Sequence, residues 1–180
     1  MSLTKKILAA ALVVACGMAA AQISQPAQAL SPAALLVQTM GLAPTLQANL
    51  RNLLADPASV RRSSSKDMAA VQKLVGLSES AFTALIARVM EVGMPSDDLA
   101  LLADFYQTPV GKKFQEHSQR GSSLAELSAS VASLSEGDRQ ALERFTSSGA
   151  TTRMVRFLDS DQFLSILWVE LEALPVSARP

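Results

Sequence analysis

The sequence predicts an all-α fold: a single small domain of about six to eight helices, including two successive bent helix pairs. Three observations carry this. Ala, Leu and Ser are abundant while aromatic residues make up 4% of the chain, which favours helices packed through small and aliphatic side chains over a β-sandwich. Apolar residues recur at spacings of three and four in several segments. Serine, proline and glycine fall where helices would start and stop.

Residues 1–29 stand apart from that domain. Met1 to Lys6 is a short positive head, Ile7 to Ala21 an apolar run, and Gln22 to Ala29 a polar stretch in which Pro26 precedes Ala27-Gln28-Ala29. This is the layout of a bacterial secretory signal, with small residues at the −3 and −1 positions. Cleavage is expected between Ala29 and Leu30, giving a periplasmic or released chain of residues 30–180. At about 15 residues the apolar run is short of the roughly 20 that span a bilayer as a permanent helix. An alternative rests on Cys16: Val13-Val14-Ala15-Cys16 fits a permissive lipobox, whose lipidated cysteine would tether the domain through residues 17–30. Loss of Lys5 and Lys6 leaves two more acidic than basic residues, mixed along the chain, and so excludes the basic surface that nucleic-acid binding needs. Cys16 is the only cysteine. The mature domain therefore has no disulfide and depends on its core, for which about 150 residues suffice.

Ser31-Pro32 begins the first helix, a hydroxyl cap followed by proline at the first helical position, and Gly41 closes it. Pro44 opens the second, which places Leu46, Leu50, Leu53 and Leu54 on one face and ends at Asp56-Pro57. Residues 56–66, with Pro57, Arg61, Arg62 and Ser63 to Ser65, read as a solvated loop. Asp67 to Val75 and Glu79 to Val92 are the next two helices, separated by Gly76-Leu77-Ser78, and Phe82, Leu85, Ile86, Val89 and Met90 form the apolar stripe of the second. After Gly93 and Pro95, Ser96 caps a helix whose first turn holds Asp97 and Asp98, where the helix dipole favours negative charge. Leu99, Leu102, Phe105 and Tyr106 are its buried stripe. Thr108-Pro109 then bends the chain, because a residue preceding proline leaves the α region while proline suits a helix start. The helix from Pro109 runs to about Ser133. Gly111 allows close approach to its neighbour, Val110 and Phe114 continue the apolar face, and Lys112, Lys113, Glu116 and Arg120 lie in solvent. The last helix, Ala150 to Leu174, carries Met154, Phe157, Leu158, Leu164, Leu167, Trp168 and Leu171, with a break point at Asp159-Ser160-Asp161. Its apolar cluster from Phe163 to Leu174 contains Glu170 and Glu172 and is too short to span a membrane.

The segment Asp104-Phe105-Tyr106-Gln107-Thr108-Pro109-Val110-Gly111-Lys112-Lys113-Phe114, preceded by Ser96-Asp97-Asp98 and its leucines, resembles the signature of a family of exported bacterial proteins known only as a domain of unknown function. In that family an acidic cap and a Leu-rich turn lead into Phe-Tyr-x-Ser/Thr-Pro-x-Gly-Lys/Gln-Lys. The resemblance covers residues 75–125 well and the rest loosely. It implies an all-α protein of the envelope compartment and carries over no catalytic residue. Forty positions on, the skeleton recurs: aligning Met94 with Leu134 pairs Asp98 with Asp138, Leu102 with Leu142, Phe105 with Phe145, and Lys113 with Arg153. Ser135 and Asp138 approximate a capping box, and Ser148-Gly149 stands in place of Thr108-Pro109. The reading is an internal repeat, 94–133 and 134–174. Its second copy lacks the tyrosine, the proline and the double lysine.

His117 is the only histidine. With Lys113 one turn before it and Asp104 and Tyr106 across the bend it can be drawn as a general base, although the pattern fits a histidine on a polar helix face. The sequence holds no nucleophile elbow, His-Glu-x-x-His pattern, phosphate-cradling glycine loop or calcium loop. One histidine and no mature cysteine exclude an ordinary structural zinc site. No catalytic residue, metal or cofactor is assigned, and the sequence leans away from an enzyme. Tyr106, Thr108, Lys112 and Lys113 form the candidate interaction surface: an aromatic, a hydroxyl and two ammonium groups at a bend, suited to a protein or an anionic envelope component. The competing reading has Tyr106 packed and the lysines merely solvated. The expected function is a non-enzymatic binding domain in the bacterial cell envelope. The alternatives are a hydrolase-type enzyme acting on an envelope component, and a homo-oligomer subunit held by an exposed apolar helix face.

Overall fold

The structure, a computed structural model, describes residues 30–120 and 131–174, the side chains of Arg62 and of 117–120 excepted. The expected signal, with Cys16 and Ala29, lies outside these residues, as do residues 121–130 of the helix expected to reach Ser133. Ser31 accepts the Ala34 N–H at 3.2 Å and, with Pro32, starts α1 (Pro32–Thr39). Gly41, left-handed at φ 61°, turns the chain directly into α2 (Leu42–Ala55). Pro44 lies inside the first turn of α2 and not at its start; an N–H there would have had no helical acceptor, so proline is tolerated.

The loop expected over 56–66 contains a helix, α3 (Pro57–Arg62). Asp56 is the cause. Its carboxylate accepts from Ala58 N at 3.1 Å and Ser59 N at 3.0 Å, while Pro57 presets the first helical position, the same pairing that starts α1. Ser64 caps α4 (Ser65–Gly76) through Asp67 N, and Ser78 caps α5 (Glu79–Gly93) through Ala81 N. α6 (Ser96–Gln107) begins one residue earlier than its expected cap implied: Pro95 is the N-cap and Ser96 the first helical residue. α7 (Pro109–Arg120) follows across the bend. α8 (Glu136–Ser147) is capped by Ser135, and α9 (Ala150–Leu158) is reached through Gly149 at φ 71°. The final helix expected from Ala150 is two, α9 and α10 (Asp161–Ala173), because the Ser160 hydroxyl donates to Phe157 O at 2.6 Å and accepts from Phe163 N at 3.2 Å. The described residues thus form an all-α domain of ten helices with no strand, slightly more than the six to eight expected.

α1 packs against both α5 and α6, and the three make the centre of the domain. Ala33, Leu36 and Val37 have no solvent exposure, as an eight-residue helix requires, since so short a helix is stable only when packed. α2 packs on α5 and α4 on α2; α10 packs on α5; α8 and α9 pack on α6, with α7 against α6 and α8. Gly93 brings α9 close: a Cβ there would lie 2.0 Å from the Phe157 ring. Polar ties also cross the packing. Buried Gln47 donates to Leu77 O at 2.8 Å and Val75 O at 3.3 Å, and Arg88 of α5 pairs with Glu170 of α10 at 2.5 Å.

Candidate functional site

The α6–α7 corner is built by Thr108. Proline after it forces extended backbone, φ −68° and ψ 157°, and α6 stops. The Thr108 hydroxyl then serves both helices, donating to Phe105 O at 2.6 Å and accepting the Gly111 N–H at 3.0 Å. Gly111 fits because it has no side chain: a Cβ there would sit 2.0 Å from the Phe105 carbonyl oxygen. A second anchor lies further along α7, where Gln115 Nε2 donates to Thr39 O at the end of α1.

Beneath the corner is an aromatic cluster holding four of the chain's eight aromatic residues. Phe105 stacks on Phe145 with ring centroids 3.7 Å apart and planes 12° apart. Tyr106 meets both rings edge-on, at 5.4 Å and 5.8 Å, and Phe114 does so at 6.2 Å from each. Such arrangements match the ring quadrupoles and add to the area they bury.

Of the four candidate surface residues, the structure leaves two on the surface. Tyr106 is 5% exposed and belongs to the core, because α6 is covered by α1 and also by α8 and so needs a wide apolar face. Thr108 is half-buried and its hydroxyl is used within the corner. Lys112 and Lys113 are exposed, and neither makes an ion pair with the described residues. Phe114, at 37% exposure, carries part of the aromatic cluster to the surface beside them. His117 lies on α7, its side chain outside those described. Asp104 is exposed on α6.

Sequence reasoning missed the pair that joins the start of α6 to α9. Arg153 donates from Nε to Asp98 Oδ2 at 2.6 Å and from Nη2 to Asp98 Oδ1 at 2.7 Å, and also reaches Ser148 O at 2.9 Å. Asp98 stands in the first turn of α6, as the sequence implies, but it is 8% exposed while Asp97 is exposed. A signal was present: Asp98, Leu102 and Phe105 fall at spacings of four and three, so the carboxylate lies on the apolar stripe and needs a partner. The two Arg153 hydrogen bonds hold the Asp98 carboxyl below its ordinary value of 3.8, against the opposing effect of burial and with help from the guanidinium charge.

Among the described residues, no group of three or more His, Cys, Asp or Glu could hold a metal ion. No helix among them is long and apolar enough to cross a membrane. Comparison of the chain with family models, with curated proteins and with solved structures finds no match.

Proposed function

We propose that this chain is an exported, non-enzymatic helical domain that binds an anionic partner in the bacterial cell envelope through the Lys112-Lys113 edge of α7. One observation carries the reading. Two adjacent lysines stand exposed, and without ion pairs among the described residues, on a corner whose backbone is fixed at both ends, by the Thr108 hydroxyl and by the Gln115 bond to α1. Cations so held lose little freedom when they engage a carboxylate or phosphate. The layout of residues 1–29 supports export, and the likeness of Phe105 to Lys113 to the signature of an exported bacterial family supports the compartment.

Crosslinking in the native envelope, with identification of what is captured, tests it. Lys112→Glu with Lys113→Glu should abolish capture and leave the melting temperature unchanged, while His117→Gln should leave capture intact. Loss of the cellular phenotype on His117→Gln, with the charge reversal silent, would transfer the function to the hydrolase-type reading.

A further inference from the structure

Phe105 and Phe145 are forty positions apart, the offset at which the skeleton of the chain recurs, and their rings stack on each other. A two-fold axis brings a residue on it against its own equivalent, and it is told from a simple translation by the remaining contacts. Every other contact between the two helix pairs must then occur twice, with partners exchanged. α6 packs on α9, and the exchanged partners α8 and α7 also pack together; α6 and α8, which are each other's equivalents, are in contact. The bends correspond as well. Thr108 bonds Phe105 O and Gly111 N, and Ser148 donates to Phe145 O at 2.8 Å and accepts from Ala150 N at 3.1 Å. By the same exchange, the Asp98–Arg153 pair calls for Asp138 opposite Lys113.

We infer that residues 96–114 and 136–154 are two copies of one helix–bend–helix unit, related by an approximate two-fold axis through the Phe105–Phe145 stack, and that Lys113 and Asp138 are the unclosed counterpart of the Asp98–Arg153 pair. The reason it is unclosed lies one turn away. Asp138 Oδ2 accepts the Ser135 hydroxyl at 2.8 Å, whereas the residue equivalent to Ser135 in the first unit is Pro95, which has no hydroxyl to offer Asp98. The cation differs too. Arg153 meets its carboxylate with a two-pronged fork, which the single ammonium of Lys113 does not have. The bends have diverged around the same hydroxyl: Thr108 is extended ahead of Pro109, while Ser148 is helical and left-handed Gly149 makes the turn. The second bend accommodates Thr151 at the position of Gly111 and leaves its hydroxyl buried without a partner. The first unit consequently presents a cation without an ion pair among the described residues where the second has a closed pair.

The test restores the missing fork. Lys113→Arg should raise the melting temperature at low salt by about 1–3 °C, as one added ion pair would in a domain of this size, and the gain should shrink as salt is added. Lys112→Arg, the adjacent exposed lysine, should leave the melting temperature unchanged, and adding Asp138→Asn should cancel the gain of Lys113→Arg. The inference is overturned if Lys113→Arg melts like Lys112→Arg, or if its gain survives Asp138→Asn.

Discussion

Truncating Phe145 to alanine should be severe, and its size follows from the stack. The ring is 5% exposed, lies 3.7 Å from Phe105, and is edged by Tyr106 and Phe114. Its removal loses the transfer of a buried aromatic and leaves a cavity bounded by three rings fixed on two other helices, which restricts collapse. Such truncations cost about 3–5 kcal/mol, a large share of the roughly 5–15 kcal/mol that holds a domain together. For a chain of this length that is a fall in melting temperature of roughly 6–20 °C. Thermal unfolding followed by far-UV circular dichroism, with a urea series for the free energy, measures it. Phe105→Ala should cost a similar amount. Because the two rings share one contact and one cavity, the double variant should cost less than the sum of the singles, by about 0.5–3 kcal/mol. Lys113→Ala, on the surface above, should barely shift the transition. If Phe145→Ala is as mild as Lys113→Ala, or the two truncations add fully, the stack is not the seam between the helix pairs and the reasoning fails.

Asp98 has a depressed carboxyl in the folded state, so its contribution is present above the ordinary value of 3.8 and disappears as pH falls below that through the folded value. Asp98→Asn should lower the melting temperature at pH 7 and flatten its fall in that acid window, as read by thermal melts across pH. Gly111→Ala must displace the Phe105 carbonyl and should be strongly destabilising. Gly137→Ala, with open space around it in α8, should be neutral or stabilising by up to about 1 kcal/mol in the same melts. Gln47→Leu removes the donor to the Val75 and Leu77 carbonyls and should cost roughly 1–3 kcal/mol in urea unfolding. On the proposed export, N-terminal sequencing of the mature protein should begin at Leu30, and a lipid-modified Cys16 at the first position would point to a membrane tether instead.

Helix starts were the most legible part of the fold, because a serine cap is a local device. Ser31, Ser78 and Ser135 each bond an N–H within three residues, and no distant partner is needed to recognise them. Asp56-Pro57 has the same chemistry and was passed over because the arginines and serines after it suggested solvent, which α3 indeed meets while remaining helical. The candidate surface was harder to read for a non-local reason. Tyr106 falls both on the buried stripe of α6 and in the candidate surface at the bend, and nothing local decides between the two. The choice is made by α8, forty positions later, whose Phe145 ring meets Tyr106 edge-on. The Asp98–Arg153 pair spans 55 positions, and the sequence could flag a carboxylate in need of a partner without naming it.

The central position of α1 reverses the relation between chain order and spatial order. The first helix of the domain is the one enclosed by α5 and α6, whose residues lie roughly fifty to seventy positions later, so it waits through a large loop closure before its apolar face is satisfied. A chain stalled before α6 would still display Leu36 and Val37 to whatever is nearby, which is a natural hold for a chaperone that binds apolar segments of unfinished chains. Fusions ahead of half-exposed Leu30 would leave the core untouched, whereas trimming ten residues beyond it would remove the element that α5 and α6 are built around.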